Sequence, residues 1–324
     1  MSAITMPSAP HPVEPLGDAA SVLEKHGKSF HFAGQLLNPR TLDRCARLYR
    51  FCRFVDDLGD DSSKPAEAKE ALQQIEAELR RGNSSDPHVS DFLDLAAECG
   101  FDPAPAIALV QGVLGDLDEV SFFEERDLDR YAYRVAGTVG LLMCGVFEVK
   151  EEHAFYHAID LGMAMQFTNI ARDVSEDASM GRRYLPASYF EKVPGNEALA
   201  EGSPEARSAI QAAVERLLEK AEVYYRSGHA GLGYLPWRAR LGILVAAKVY
   251  RAIGSKIHAI DGAVWRERAF VTRNRKVGIA ARELLRFAFS GGCRKLPTHH
   301  DSTLHRHLDG LPLVDAFEER EERP

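Results

Sequence analysis

The sequence is short of the features that mark crosslinked, exported, membrane-spanning or nucleic-acid-binding proteins. Its five cysteines, Cys45, Cys52, Cys99, Cys144 and Cys293, are odd in number and never spaced as CxxC. That argues against a disulfide framework or a thiolate zinc site and fits a reducing cytoplasm. Met1 to Leu16 holds four prolines and no apolar stretch, so residues 1–17 read as a disordered lead rather than an export signal. Nowhere does the chain reach the ~18 uninterrupted apolar residues of a membrane span. The nearest run, Val135 to Val149, is broken by three glycines and a threonine. Positive charge is also short. With 40 Lys and Arg against 48 Asp and Glu, the net charge is −8, which speaks against a nucleic-acid partner. Strand-like alternation is almost absent.

What is present is helical periodicity, in a chain of 324 residues with 45% apolar content, enough for a sizeable core. Pro65, an inward face of Leu72, Ile75 and Leu79, and Gly82 describe one amphipathic helix. Ser203-Pro204-Glu205 opens another, with Ile210, Val214, Leu217, Ala221 and Tyr224 inward and Gly228 closing it. Further helices are predicted at about 18–37, 40–58, 87–99, 104–120, 128–148, 151–178, 236–260 and 274–290. The breaks are short, and no linker, repeat or composition shift marks a second domain. The reading is one all-α domain over 18–290, followed by a polar tail, 291–324. Segments 135–149 and 241–250 are apolar on more than one face and should be central. Gly137 and Gly140 weaken the first by roughly 1 kcal/mol each. Tight helix packing and a long apolar ligand both account for that.

Two acidic clusters stand out: Asp56-Asp57-Leu58-Gly59-Asp60, and Asn169 through Asp177. At 100° per residue, Asp56, Asp57 and Asp60 share a sector, and Asn169, Asp173 and Asp177 form a stripe. Crowded carboxylates raise one another's pKa unless cations compensate. Two such faces opposite each other would cage hard divalent cations, which prefer oxygen, and through them grip diphosphate. The simpler reading of the first cluster is a solvated helix end. Against it stands Arg53, one turn before Asp57, able to pair with a carboxylate or to donate two hydrogen bonds to phosphate. In the second, Gln166, Asn169, Asp173 and Asp177 follow an apolar stretch with Arg172 beside them, where unpaired buried charge would be costly. A structural Arg/Asp network is its alternative. The loop Met180 to Pro186 is basic and could close over an anion.

These stretches, with Lys28-Ser29-Phe30, Tyr131 through Gly140, and Tyr250 onward to Arg268 with Lys276, resemble the squalene/phytoene synthase family over roughly residues 20 to 290. Its first aspartate motif matches Tyr49 to Asp60, its second Gln166 to Asp177, and its Arg-x-Tyr-Leu-Pro loop Arg182 to Pro186. VYRAIGSKI followed by AVWRERAFVTRNRK is most similar to the bacterial phytoene synthases. The resemblance implies the isoprenoid synthase fold, a single helical domain around a central cavity, and a prenyltransferase. It implies magnesium, with manganese as substitute, on Asp56, Asp60, Asn169, Asp173 and Asp177, and Asp57 in support. Ser29, Tyr49, Arg53, Arg172, Tyr184, Tyr250 and Arg268 would hold or steer the substrate's diphosphate, and Tyr131 and Gln166 would sit near the reacting carbons. Gly59 departs from the family, which more often has a larger residue there; a looser helix end is expected.

The implied reaction joins two geranylgeranyl diphosphates head to head, through prephytoene diphosphate, to phytoene. NADPH is not expected. The alternative is a C30 synthase acting on farnesyl diphosphate to give squalene, presqualene diphosphate or diapophytoene. A non-catalytic scaffold would have lost acidic residues from one or both clusters, and here both are complete. Ala46, about 15 Å down the helix from Asp56, and Gly34 are expected to leave room for the C20 tail. His299, His300, His305 and His307 read as a solvated tail rather than a metal site. Arg282 to Phe289 is amphipathic and basic: ordinary packing is the first expectation, peripheral contact with the inner membrane the second. Carotenoid-pathway enzymes are the expected protein partners.

Overall fold

The computed structural model describes residues 16–60, 65–289, 296–297 and 299–314. Most of the expected lead-in, residues 1–15, lies outside that set, as do residues 315–324. The helix expected over 18–37 breaks at Gly27 into α1 (Ala19–His26) and α2 (Lys28–Gly34). Asn38 Oδ1 then accepts the Thr41 N–H at 2.9 Å, and Pro39 fills the first turn of α3 (Pro39–Asp60). α4 spans Pro65–Arg81. Asp86 caps α5 (Pro87–Cys99), which Gly100 ends in the left-handed conformation. α6 (Ala104–Gly115) stops short of the expected 120. The single helix expected over 128–148 is α7 (Glu125–Ala132), a π-helical turn at Tyr133–Gly137, and α8 (Thr138–Val146).

α9 (Glu152–Ser179) is the long second-cluster helix. The short α10 (Asn196–Glu201) was not anticipated. α11 (Arg207–Ala230) runs past Gly228, and α12 (Trp237–His258) and α13 (Arg273–Phe289) complete the set. Among the described residues the only β pairing is an isolated bridge between Ser121 and Arg183. The fold is all-α, as read from the sequence.

α9 is the axis, with α8, α10, α11 and α12 packed around it. Met163, Ala164, Phe167 and Ala171 are fully buried along it. α3 belongs to a second core with α4, α5, α6 and α8. Arginines lock α3 to α5: Arg44 and Arg47 pair with Glu98, and Arg47 and Arg50 with Asp91. The acidic faces of α3 and α9 thus meet across open space. The glycines of the central segment serve close approach. A Cβ on Gly140 would run into the Ala158 carbonyl, and one on Gly162 into that of Ala136. Ala136, Gly140 and Gly162 also border an apolar channel, so the small residues serve tight packing and leave open space beside it.

The tail corrects an expectation. His299 is exposed, but His300 Nε2 lies 2.7 Å from Asp160 Oδ2 and His305 Nε2 lies 2.9 Å from Oδ1. His307 Nδ1 sits 2.7 Å from Asp129 Oδ2, and Leu308 and Leu311 are buried. Burial alone would raise the Asp160 carboxyl; the hydrogen bonds from His300 and His305 outweigh it and hold it at about 2. The segment packs because its polar groups have buried acids to meet, on helices far away in sequence.

Replacing Gly162 with alanine should cost about 1–3 kcal/mol of stability by overpacking the contact of α9 with the π-helical turn at Ala136, read from a urea unfolding curve. Wild-type stability in that variant would contradict the close approach.

Candidate active site

The C-terminal end of α3 and the C-terminal half of α9 line a polar cavity of about 300 Å³. Asp56 and Asp60 enter from α3, and Asn169, Asp173 and Asp177 from α9. The sequence-predicted oxygen donors are therefore brought together. Asp57 is not among them. One 100° step from Asp56 turns it to the flank, where it is exposed and ion-paired with Arg53.

The cavity's electrostatics follow from crowding. Asp56 keeps contact with water through the cavity, yet its carboxyl is pushed up to about 7. Removal from bulk water is the main cause; Arg53 opposes it, and Asp60, Asp57 and Asp116 add to it. Asp177 is likewise raised to about 7, by burial and then by Asp173, against the pull of Arg182. Asp116, at the end of α6, rises to about 6 through burial, despite hydrogen bonds from two tyrosines. The Tyr131 and Tyr184 hydroxyls each donate to it at 2.9 Å, and their rings stack with centroids 4.8 Å apart. Both tyrosines were legible as site residues. Asp116 was not, because an isolated acid closing a helix carries no pattern.

Arginines supply the counter-charge. Arg172 Nε donates to Asp173 Oδ1 at 2.8 Å, and Arg268 Nε donates to the same atom at 2.9 Å. Arg268 also lies 3.2 Å from Glu176. In the basic loop, Arg182 points inward, 3.6 Å from Asp60. Arg183 turns away and fastens the loop, donating to the Phe122 and Leu185 carbonyls and to Ser121 Oγ at 2.6–2.8 Å.

The cavity continues into an apolar channel of about 330 Å³; Asp56, Val135, Gln166 and Asn169 line both. Tyr49, Tyr250 and Gly34 border the channel. Ala46 does not, which corrects its expected role. It sits on the neighbouring face of α3, packed against Ala19 and Leu23 of α1. Gly59 is also reread: α3 stays helical to Asp60, and a Cβ at 59 would strike Val113. Ser29 falls within α2, but its side chain lies outside the described residues.

A hard divalent cation fits this donor set. Every candidate ligand offers oxygen. Asn169 Oδ1 is buried with no hydrogen-bond partner, and two of the carboxyls are raised, by burial first and also by neighbouring carboxylates.

The chain is similar to known proteins over most of its length. The Squalene/phytoene synthase family pattern matches residues 23–275. A phytoene synthase of Pseudescherichia vulneris is 36% identical over 280 residues, covering 82% of this chain and 89% of that protein. A 15-cis-phytoene synthase of Pantoea ananas is 34% identical over 274 residues, covering 81% and 88%. Among solved structures, a dehydrosqualene synthase in complex with ligand superposes with a TM-score of 0.73 at 25% identity, covering 83% of this chain and 95% of that one.

Protons compete for the same oxygens. Because Asp56 and Asp177 are raised to about 7, their charged form dominates only above that pH, and a cation must displace protons below it. Magnesium affinity, measured by calorimetry, should fall as pH drops from 8 to 6. An affinity flat across that range would contradict the crowding.

Proposed function

We propose that this chain, which belongs to the squalene/phytoene synthase family and is a prenyltransferase, joins two molecules of geranylgeranyl diphosphate head to head, through prephytoene diphosphate, to phytoene. The observation that carries the reading is the continuity of an oxygen-lined cavity with an apolar channel, sharing Asp56 and Asn169 at their junction. That polarity matches a prenyl diphosphate end to end. Asp56, Asp60, Asn169, Asp173 and Asp177 would hold magnesium, with manganese a workable substitute, whose Lewis acidity draws charge onto the departing diphosphate. Arg172 and Arg268, spent on Asp173 in this structure, exchange a carboxylate for diphosphate oxygens, with Arg182 and Arg53 beside them. Loss of diphosphate leaves an allylic cation, which the double bond of the second molecule attacks; loss of a proton from the resulting tertiary cation closes the ring of a cyclopropylcarbinyl diphosphate. A second ionisation, rearrangement and proton loss complete phytoene, with no reductant required. The chain's own part is to fix the leaving group and to keep water from the cation. Tyr131 and Tyr184 close the cavity on that side, stacked on each other and held by Asp116.

The second reading is a C30 synthase on farnesyl diphosphate, favoured by the likeness to a dehydrosqualene synthase. Channel depth supports the longer tail. Its lining on α9 runs from Asn169 to Ala154, about 22 Å of helix, suited to four isoprene units rather than three. Glycines 34, 228, 231 and 242 thin the walls.

The proposal extends to where the product goes. No helix among the described residues is long and apolar enough to cross a membrane. α13, expected to pack ordinarily, buries only Ala280 and Glu283. Leu285 and Phe289 are 62% and 87% exposed. Five basic residues accompany a single acid on this helix, in a chain of net charge −8. Glu283 is buried and paired with Arg282 and Arg286. An apolar, basic face on an acidic protein suits the anionic inner surface of the cell membrane, where a hydrocarbon product and the pathway enzymes that accept it would meet.

Incubation with magnesium and either farnesyl or geranylgeranyl diphosphate, with and without NADPH, should give phytoene by mass from the C20 substrate alone, without reductant. No hydrocarbon from either substrate would sink the assignment. Gly34→Phe should move preference toward the C15 substrate; an unchanged product ratio would refute the channel as the measure of tail length. Vesicles containing phosphatidylglycerol should sediment the wild-type chain, and Leu285→Glu with Phe289→Glu should abolish this. Equal binding by both proteins would rule α13 out as the contact.

A further inference from the structure

The far end of the channel holds a second group of ionisable side chains that the prenyl-transfer reaction does not use. His157 and Asp160 stand three residues apart on α9 and so share a face; the tail lays His300 against them. One candidate ligand atom from each of the three lies within 4.8 Å of the others. Asp160 is fully buried, and the side chain of His300 is 7% exposed. His305 Nε2 holds the other carboxylate oxygen at 2.9 Å. Ser227 Oγ sits 3.0 Å from His157 Nδ1 and donates to Asp160. We propose that His157, Asp160 and His300 form a binding site for a transition-metal dication of the zinc class, fastening the C-terminal tail to α9.

Three facts carry this. Three imidazoles crowd around one carboxylate: the His300 ring lies 4.6 Å from that of His305 and 5.2 Å from that of His157. A single negative charge balances a single proton, whereas a dication engages all the donors. Two imidazoles and a carboxylate are also the donor chemistry that zinc takes, at bonds of ~2.0–2.2 Å. Ser227 and His305 supply the outer hydrogen bonds that orient such ligands. The oxygen-only cavity at the opposite end of α9 selects the other way, for magnesium. His157 also borders the channel, so the ion would fix the channel's far wall and the tail as one unit.

The test uses untagged full-length chain and its metal content. Protein grown with zinc should carry about one zinc per chain, and His300→Ala or Asp160→Asn should carry less than a tenth of that. Zinc added to chelator-treated wild type should raise the unfolding midpoint by about 5 °C, and equimolar magnesium should not. Circular dichroism on both variants separates loss of the site from loss of fold; the wild-type titration stands even if neither variant folds. Wild type without zinc and without a midpoint shift would overturn the proposal, as would zinc retained by folded His300→Ala and Asp160→Asn.

Discussion

Like charges facing one another across a cavity govern this structure. Asp56 and Asp60 on α3 look toward Asp173 and Asp177 on α9, with Asp116 nearby. Such a surface cannot be packed dry, because each uncompensated buried charge costs several kcal/mol. The two helices must therefore find their cores elsewhere. α3 does so through Arg44, Arg47 and Arg50 against α5, and α9 through its apolar face against α11 and α12. The cavity between them is the consequence. Arginines hold it in balance, two of them on Asp173 alone; at Asp56 and Asp177 burial outweighs the pull of Arg53 and Arg182 and raises both carboxyls to about 7.

α9 carries the whole polarity gradient in one element. From its C-terminal end, Asp177, Asp173, Asn169 and Gln166 face the polar cavity; Gly162, Ala158 and Ala154 face the apolar channel. That order suits the proposed substrate, which pairs a diphosphate with a long hydrocarbon tail. The small residues serve twice, letting α9 touch α8 at Gly140 and the π-helical turn at Gly162 while leaving room beside them.

How much of this was legible depends on the range of each interaction. The stripe Asn169, Asp173, Asp177 is a local property of a 3.6-residue period, and it lines the cavity as read. The same arithmetic fails at the edge of a face. Asp57 and Ala46 each lie one residue from a lining position, and packing alone decides that one meets solvent and the other α1. The π-helical turn at Tyr133–Gly137 leaves apolar periodicity nearly intact and so stays invisible. Asp116 gains meaning only when the fold brings Tyr131 and Tyr184 to it. His300, His305 and His307 of the tail depart from the solvated reading for a related reason. Nothing near them in sequence announces Asp160 or Asp129, and polar residues without visible partners read as solvated.

The account's central claim is that the two acidic faces act as halves of one diphosphate site. The most direct measurement is a crystal structure with manganese and a non-ionising prenyl thiodiphosphate, the metal located by anomalous scattering. The account predicts manganese between Asp56 and Asp60 on one side and Asn169, Asp173 and Asp177 on the other. The diphosphate should bridge them, with Arg172 and Arg268 turned from Asp173 to its oxygens and the tail running down the channel. Manganese on one helix only, or a diphosphate bound outside this cavity, would contradict it.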